Sequence, residues 1–202
     1  MKLFILMLVI LNPFSQVLYL KELMDGMTFR EFLGVHTRAT ILSFGVFAIF
    51  VLGGDPILND VFQVELGSLQ IFGGLVGLFI AHRYVTLGPG SNLLFRGDIS
   101  DLAPNISLPY MVGPGTLWLS ILIGRQHPWP IALSVVVGIL VINLVVVVGA
   151  KYSYQRLQSH KETLFGKYMA ILMRTMALFI GAISVQMILD GIQQTLLTRG
   201  GT

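Results

Sequence analysis

The sequence has no cysteine and few charged residues. Of its 202 residues, 11% are charged and 54% are hydrophobic. The absence of cysteine excludes disulfides, thiol chemistry and cysteine-ligated metals. Soluble domains carry about 25% charged residues, and this chain has a mean hydropathy of +0.80. The chain is too poor in charge to cover a water-exposed surface, so its surface must face lipid.

Patterns of catalysis and of nucleic-acid binding are also missing. The net charge is only +3, and the basic residues are not interleaved with aromatic residues, so no nucleic-acid surface is predicted. His36, His82, His127 and His160 lie at the ends of apolar stretches or between them, outside any paired-ligand pattern. No phosphate loop is present either. The sequence therefore predicts a protein that is not an enzyme and needs no metal or cofactor.

The sequence consists largely of long apolar stretches. A bilayer core about 30 Å thick requires roughly 20 mostly apolar residues per helix, and the runs are continuous without the alternation of a barrel. The sequence therefore predicts an all-α, polytopic membrane protein of about six transmembrane helices, whose first helix is retained because no cleavage site follows it. The predicted spans are Leu3–Leu20, His36–Leu52, Leu66–Leu87, Leu108–Gly124, Trp129–Ala150 and Tyr168–Ile192.

Basic residues are distributed unequally between the two sides of these spans. Nine of them fall in the first, third and fifth loops, against three in the other loops and the termini. Because cytoplasmic loops carry the excess of Lys and Arg, the sequence predicts that both termini lie outside. The nine are Lys21, Arg30, Arg38, Arg83, Arg96, Lys151, Arg156, Lys161 and Lys167, and the three are Lys2, Arg125 and Arg199.

Six spans divide into two sets of three. We expect a single membrane domain, 1–202, with a first half at 1–90, a cytoplasmic connecting loop at 91–107 and a second half at 108–202. An odd number of spans per half means that the second half, if homologous to the first, is inverted in the membrane. Two inverted three-helix repeats are therefore predicted.

The first helix of each half contains a helix-breaking motif. Asn12-Pro13 interrupts the first span, and Gly113-Pro114-Gly115 interrupts the fourth. Proline lacks an N–H and clashes with the carbonyl one turn earlier, while glycine favours non-helical dihedral angles. Breaks at corresponding positions of two halves indicate a transporter binding site. The alternative is that Pro13 only kinks a helix whose polar groups bond to a neighbour.

Polar side chains near these breaks complete the candidate site. Ser15 and Gln16 lie three and four residues after Asn12, so the three share one helix face. Gln186 shares a face with Asp190, an intramembrane carboxylate that is a candidate for ion coupling, although Asp190 also suits the membrane interface. Gln70 and Asn143 favour interhelical hydrogen bonding, and Gly73-Gly74 and Gly181-Ala182 favour close packing. The predicted substrate-binding residues are Asn12, Pro13, Ser15, Gln16, Gly113, Pro114, Gly115, Thr116 and Gln186.

Four segments resemble the MarC family of six-helix membrane proteins. They are NPFSQ, GGLVGLF, LPYMVGPGTL and GAISVQMILDGI, in the first, third, fourth and sixth predicted spans. The resemblance covers nearly the whole chain, and it implies a relation to LysE-type amino-acid exporters and a bacterial-type inner membrane. The family pattern commonly has glycine and proline where this chain has Ser15 and Leu18, and a proline where it has Asn105. The first break is therefore expected to be milder here.

These expectations combine into a transporter or exporter of a small polar solute. A neutral amino acid is the favoured substrate, carried by alternating access around a site at the middle of the membrane. The alternative is a membrane scaffold or assembly partner that transports nothing. A polar cavity between the first and fourth helices would favour transport, and apolar packing there would favour the scaffold. The expected partners are the lipid bilayer and the solute, and assembly into a homo-oligomer stays open.

Overall fold

The computed structural model describes residues 2–86, 106–107, 111–156 and 159–200. All regular secondary structure in these residues is helical, as the composition predicts. The predicted connecting loop at 91–107 lies outside the described residues except for its last two, and so does the start of the fourth span at 108–110. The helices are α1 (Lys2–Leu11), α2 (Pro13–Tyr19), α3 (Lys21–Gly26), α4 (Phe29–Pro56), α5 (Leu66–Thr86), α6 (Pro114–Gln126), α7 (Trp129–Arg156) and α8 (Ser159–Gly200), with a π-helix at Ile57–Val61.

Four helical segments are long and apolar enough to cross a membrane. The third and fifth predicted spans begin at the residues where α5 and α7 begin. The first predicted span is divided between α1 and α2, and only part of the fourth is described, so six spans stay a prediction. The four segments are Phe29–Val61, Leu66–Thr86, Trp129–Arg156 and Gly166–Leu196, and a shorter apolar stretch covers Lys2–Leu18.

The second predicted span begins at His36, later than the helix that contains it, which begins at Phe29. α4 starts at Phe29 because Thr28 and Glu31 form a capping box, in which the Glu31 N–H donates to Thr28 Oγ1 over 3.3 Å and the Thr28 N–H donates to Glu31 Oε2 over 2.8 Å. Charged residues in its first turns lower the local hydropathy and hide this start. His36 is therefore not at a span end: it lies two turns inside α4 with a fully buried side chain.

Small residues bring α5 and α8 together, as predicted for Gly73-Gly74. A Cβ placed on Gly74 would lie 2.7 Å from the Ser184 carbonyl oxygen, and one on Gly191 would lie 2.8 Å from the Gly67 carbonyl oxygen. A side chain at either position would push the two backbones apart. Helix association in lipid depends on such close approach, so α5 and α8 pack tightly against each other.

The other helices assemble around the two interrupted segments. α4 packs against α6 and α7, α5 also packs against α6, and α2 packs against α7 and α8. α1 contacts α6, α7 and α8. The chain breaks therefore lie inside the bundle, where released backbone groups face protein and not lipid.

Candidate functional site at the helix breaks

The first break is centred on Asn12. Its backbone adopts the left-handed conformation (φ 44°, ψ 72°), which asparagine tolerates better than most residues. Pro13 then begins α2 at the first helical position. The Ser15 N–H turns back to Asn12, 3.1 Å from its carbonyl oxygen and 3.2 Å from Oδ1. The predicted interruption of the first span is thus present.

The break releases a carbonyl that starts a chain of side-chain hydrogen bonds. In a continuous helix the Leu11 carbonyl would accept from the Ser15 N–H, but Gln16 Nε2 donates to it instead, over 2.9 Å. Gln16 Oε1 in turn accepts from Asn143 Nδ2 of α7 over 3.1 Å. The polar stripe predicted on the first helix therefore finds its partner in the fifth predicted span.

Three polar atoms at this junction are buried without a hydrogen-bond partner in the protein. They are Asn12 Nδ2, Ser15 Oγ and Asn143 Oδ1, and their residues are 4%, 3% and 0% exposed. A buried polar atom left unpaired costs about 1–3 kcal/mol. Three such atoms together are typical of a place where a further polar group binds.

The second break lies before Pro114, which begins α6. Gly113 is extended (φ −124°, ψ 170°), and its N–H donates to the Thr116 hydroxyl over 2.9 Å. That hydroxyl lies 2.9 Å from the Gly113 carbonyl oxygen and 3.0 Å from the Met111 carbonyl oxygen, and its one proton can be donated to either. Thr116 thus satisfies backbone groups that the Gly-Pro-Gly motif releases. Within the described residues 111–116, no side-chain nitrogen or oxygen atom is buried without a partner.

The two breaks approach one another through apolar contacts. A Cβ placed on Gly115 would lie 3.5 Å from Ile10 Cγ2 of α1 and 3.9 Å from Met187 Cε of α8, and one on Gly73 would lie 3.0 Å from the Gly115 nitrogen. Helices α1, α5, α6 and α8 therefore meet at Gly115. Ile10 thus makes an apolar contact between the first and fourth helices, where a polar cavity would have favoured transport and apolar packing favours the scaffold.

Gln186 and Asp190 lie apart from the breaks. Both side chains are exposed, and Gln186 Nε2 donates to Asp190 Oδ1 over 2.6 Å. The adjacent Met187, which is 4% exposed, is the residue of this turn that reaches Gly115. The shared face of Gln186 and Asp190 is thus present, but it points away from the other predicted site residues.

Polar contacts also join the helices at each end of the bundle. At one end, Arg125 of α6 binds the Asp55 carboxylate of α4, with Nε 2.7 Å from Oδ1 and 2.9 Å from Oδ2, beside a cavity of about 140 Å³. At the other end, Lys151 of α7 donates to the carbonyls of Met24 and Met27, the latter over 2.8 Å. Lys151 is 4% exposed.

Asn143 is the site residue that the sequence did not predict as a ligand. It was expected to bond to a neighbouring helix, and its bond to Gln16 confirms that expectation. The carbonyl oxygen of the same amide, Oδ1, is unpaired and can accept a further hydrogen bond. A lone asparagine in the middle of the run VINLVVVV is the only signal in the sequence that could have drawn attention to it.

These features define a helical integral membrane protein. Its apolar helices are long enough to span a bilayer, its helix breaks are enclosed by neighbouring helices, and small residues allow close helix packing. Residues 1–196 match the MarC family integral membrane proteins. The chain belongs to that family, as its motifs suggested.

The relatives are membrane proteins from archaea and bacteria. A UPF0056 membrane protein of Archaeoglobus fulgidus is 31% identical over 81% of this chain and 78% of its own length. One from Pyrococcus horikoshii is 25% identical over 93% of this chain and 90% of its own length. YvbG of Bacillus subtilis is 24% identical over 94% and 92%, respectively. No solved structure matches the chain.

Proposed function

We propose that the protein transports a small neutral amino acid by alternating access around the first helix break. The observation that carries this proposal is the set of three unpaired buried atoms, Asn12 Nδ2, Ser15 Oγ and Asn143 Oδ1. They supply donors and an acceptor inside an apolar bundle. A solute with both a carboxylate and an ammonium group satisfies both kinds of atom.

The side chains at this junction also favour a solute without net charge. Asn12, Ser15, Gln16 and Asn143 are amides and a hydroxyl, and none of them carries a charge that would compensate an ion. Burying a net charge in an apolar interior is costly unless it is paired. A zwitterion has paired charges of its own, so amide and hydroxyl groups suffice to orient it.

Corresponding positions in the two halves support an inverted repeat. α4 and α7 each have 28 residues, and Ser43 and Asn143 both occupy the fifteenth position. Ser43 Oγ lies 2.8 Å from Ser107 Oγ, before the second break, whereas Asn143 bonds to Gln16, after the first. The middle of α7 thus contacts the broken first helix, and the middle of α4 contacts the segment before the second break.

The contacts at the two ends of the bundle also join one half of the chain to the other. Arg125 and Asp55 join the broken fourth helix to α4, and Lys151 joins α7 to the carbonyls that follow the broken first helix. These contacts lie at opposite ends of the 28-residue helices. Opening one while the other stays closed would admit a solute from one side at a time, as alternating access requires.

A scaffold that transports nothing is the second candidate. The contact of Ile10 with Gly115 favours it, because apolar packing fills the space between the first and fourth helices. Under the transport proposal this contact belongs to a closed state. Solute entry then requires separation of helices at one of the two end contacts.

Substitution of Asn12 by glycine tests transport most cleanly. Glycine adopts a positive φ without strain, so the break is kept while Nδ2 is lost. We expect uptake of L-alanine into liposomes to fall by about ten-fold or more, the effect of losing one hydrogen bond to a charged group. Thermal stability of the purified variant should stay close to that of the wild type.

Gln63→Gly is the matched control, because Gln63 is exposed and has a positive φ of 53°. It should leave uptake unchanged. Pro114→Ala should also reduce uptake, since it lets the fourth helix continue through the second break. Wild-type protein that carries no amino acid would favour the scaffold, whereas an Asn12→Gly variant with full uptake would remove Asn12 from the proposed site.

The distribution of charge supports a plasma-membrane orientation with both termini outside. Under this orientation the Lys151 end of the bundle is cytoplasmic and the Arg125 end is external. Reporter fusions after Thr202 and within residues 153–166 test it. A cytoplasmic carboxyl terminus would overturn the orientation without affecting the proposed site.

A further inference from the structure

The hydrogen bonds around Gln16 fix the orientation of the Asn143 amide. The Leu11 carbonyl can only accept, so the group facing it must be Gln16 Nε2. Gln16 Oε1 then faces α7, and it requires a donor, which is Asn143 Nδ2. Asn143 Oδ1 is consequently the atom left free, and it is an acceptor.

The first broken helix presents hydrogen-bond donors at this junction. Asn12 Oδ1 is occupied by the Ser15 N–H, which leaves the Asn12 amide with its unpaired Nδ2. Ser15 Oγ is also unpaired, and a hydroxyl can donate a hydrogen bond. The junction therefore has a polarity, with donors on the first broken helix and an acceptor in the middle of α7.

We infer that Asn143 is a solute ligand, and that its Oδ1 accepts a hydrogen bond from the primary ammonium group of an α-amino acid. The solute carboxylate then accepts from Asn12 Nδ2 and Ser15 Oγ. This inference rests on the proposed transport function and adds the specificity of the same site. Asn143 would select amino acids over carboxylic acids of the same size that lack the amine.

The site selects amino acids because their ammonium group can pair with Asn143 Oδ1, which otherwise stays buried and unpaired. A carboxylic acid without the amine leaves Asn143 Oδ1 unsatisfied in the bound state. Sites that hydrogen-bond a substrate N–H discriminate strongly against analogues that lack it. L-Alanine and propionate differ by the ammonium group and therefore also by net charge, so the contribution of Asn143 is measured by the change in their affinity ratio when Asn143 is substituted.

The test is equilibrium binding of L-alanine and propionate to purified protein, expressed as the ratio of the two dissociation constants. Wild-type protein should prefer L-alanine. Asn143→Leu should reduce the preference by about ten-fold, because a hydrogen bond to a charged group is lost. Asn143→Asp should increase it, since a carboxylate attracts the ammonium group and repels propionate.

Ser43→Ala is the matched control, because Ser43 holds the same position in α4 and is equally buried. It should leave the ratio unchanged. If Asn143→Leu binds neither solute, Asn143→Asp decides: a higher preference supports the inference, and an unchanged or lower preference overturns it. An unchanged ratio in Asn143→Leu overturns it directly.

Failure of the inference can be distinguished from failure of the proposed function. Uptake of L-alanine by wild-type protein in liposomes tests transport without reference to Asn143. Uptake together with unchanged ratios in the Asn143 variants would leave the transport function standing and remove Asn143 as a ligand. Absence of uptake would remove the proposed function and the inference with it.

Discussion

Substitution of Gly124 by alanine should open the end of the bundle at which Arg125 binds Asp55. A Cβ on Gly124 would lie 2.2 Å from the Val51 carbonyl oxygen, whereas ordinary contacts begin at 3.4 Å. The clash is with backbone, so α4 and α6 must separate by about 1 Å. Overpacking of this kind costs about 1–3 kcal/mol, which corresponds to a shift of roughly 5- to 150-fold towards the open arrangement.

The Arg125–Asp55 pair should contribute much less. Its side chains are 35% and 43% exposed, and ion pairs screened by solvent contribute about 0.2–1 kcal/mol. Asp55→Asn should therefore shift the same equilibrium by about five-fold at most. The packing of Gly124, and not the visible ion pair, is expected to hold this end closed.

Thiol labelling measures the opening, because the chain has no cysteine of its own. Ser120 is fully buried and lies one turn before Gly124, so Ser120→Cys is a conservative reporter. In that background, Gly124→Ala should accelerate labelling by a membrane-impermeant reagent more than Asp55→Asn does. Gly45→Ala in α4 is the control, since its Cβ would meet nothing within 4 Å.

Two results would refute the reasoning about this end of the bundle. One is a labelling rate for Gly124→Ala that equals the rate for Gly45→Ala. The other is a larger effect of Asp55→Asn than of Gly124→Ala, which would mean that charge and not packing controls the closure.

Three further substitutions test other buried or charged groups. His36→Leu should raise the melting temperature, because both imidazole nitrogens are buried without partners and such groups destabilise by about 1–3 kcal/mol; a lower melting temperature would contradict this. Lys151→Met keeps the apolar stem but removes two hydrogen bonds to carbonyls, so the melting temperature should fall, whereas Lys167→Met at an exposed position should not change it. Asp190→Asn should leave the pH dependence of L-alanine uptake unchanged, because Asp190 bonds to Gln186 on an exposed face; loss of that dependence would assign it ion coupling.

The sequence predicted those features that depend on local chemistry. Continuous apolar runs gave the starts of α5 and α7, and the dihedral constraints of proline gave the breaks before Pro13 and Pro114. Each of these follows from a few neighbouring residues. The start of α4 is also local, and the Thr28-x-x-Glu31 capping box could have placed it. Hydropathy alone missed that start because the charged residues in the first turns of α4 lower the local hydropathy, as loop residues do.

The direction of a side chain around a transmembrane helix was harder to predict. Gln186 and Met187 are neighbours in sequence, yet only Met187 reaches the helix breaks. Successive residues in a helix differ by about 100° in direction, and a polar residue in an apolar span gives no sign of which neighbouring helix lies opposite. The face that Gln186 shares with Asp190 made it a candidate ligand in the sequence, whereas in the structure its side chain is exposed.

The chain of bonds that begins at the Leu11 carbonyl explains why the breaks could be predicted and the complete site could not. A break always releases polar groups, but their final partners depend on what the fold brings opposite them. At the second break the partner is local: Thr116 accepts from the Gly113 N–H, three residues away, and donates to a carbonyl of the same segment. At the first break the released Leu11 carbonyl accepts from Gln16, five residues away, but Gln16 then pairs with Asn143, 127 residues away, whose Oδ1 stays unpaired. Among the described residues, the milder Asn12-Pro13 motif therefore has more unpaired buried side-chain atoms beside it than Gly-Pro-Gly has.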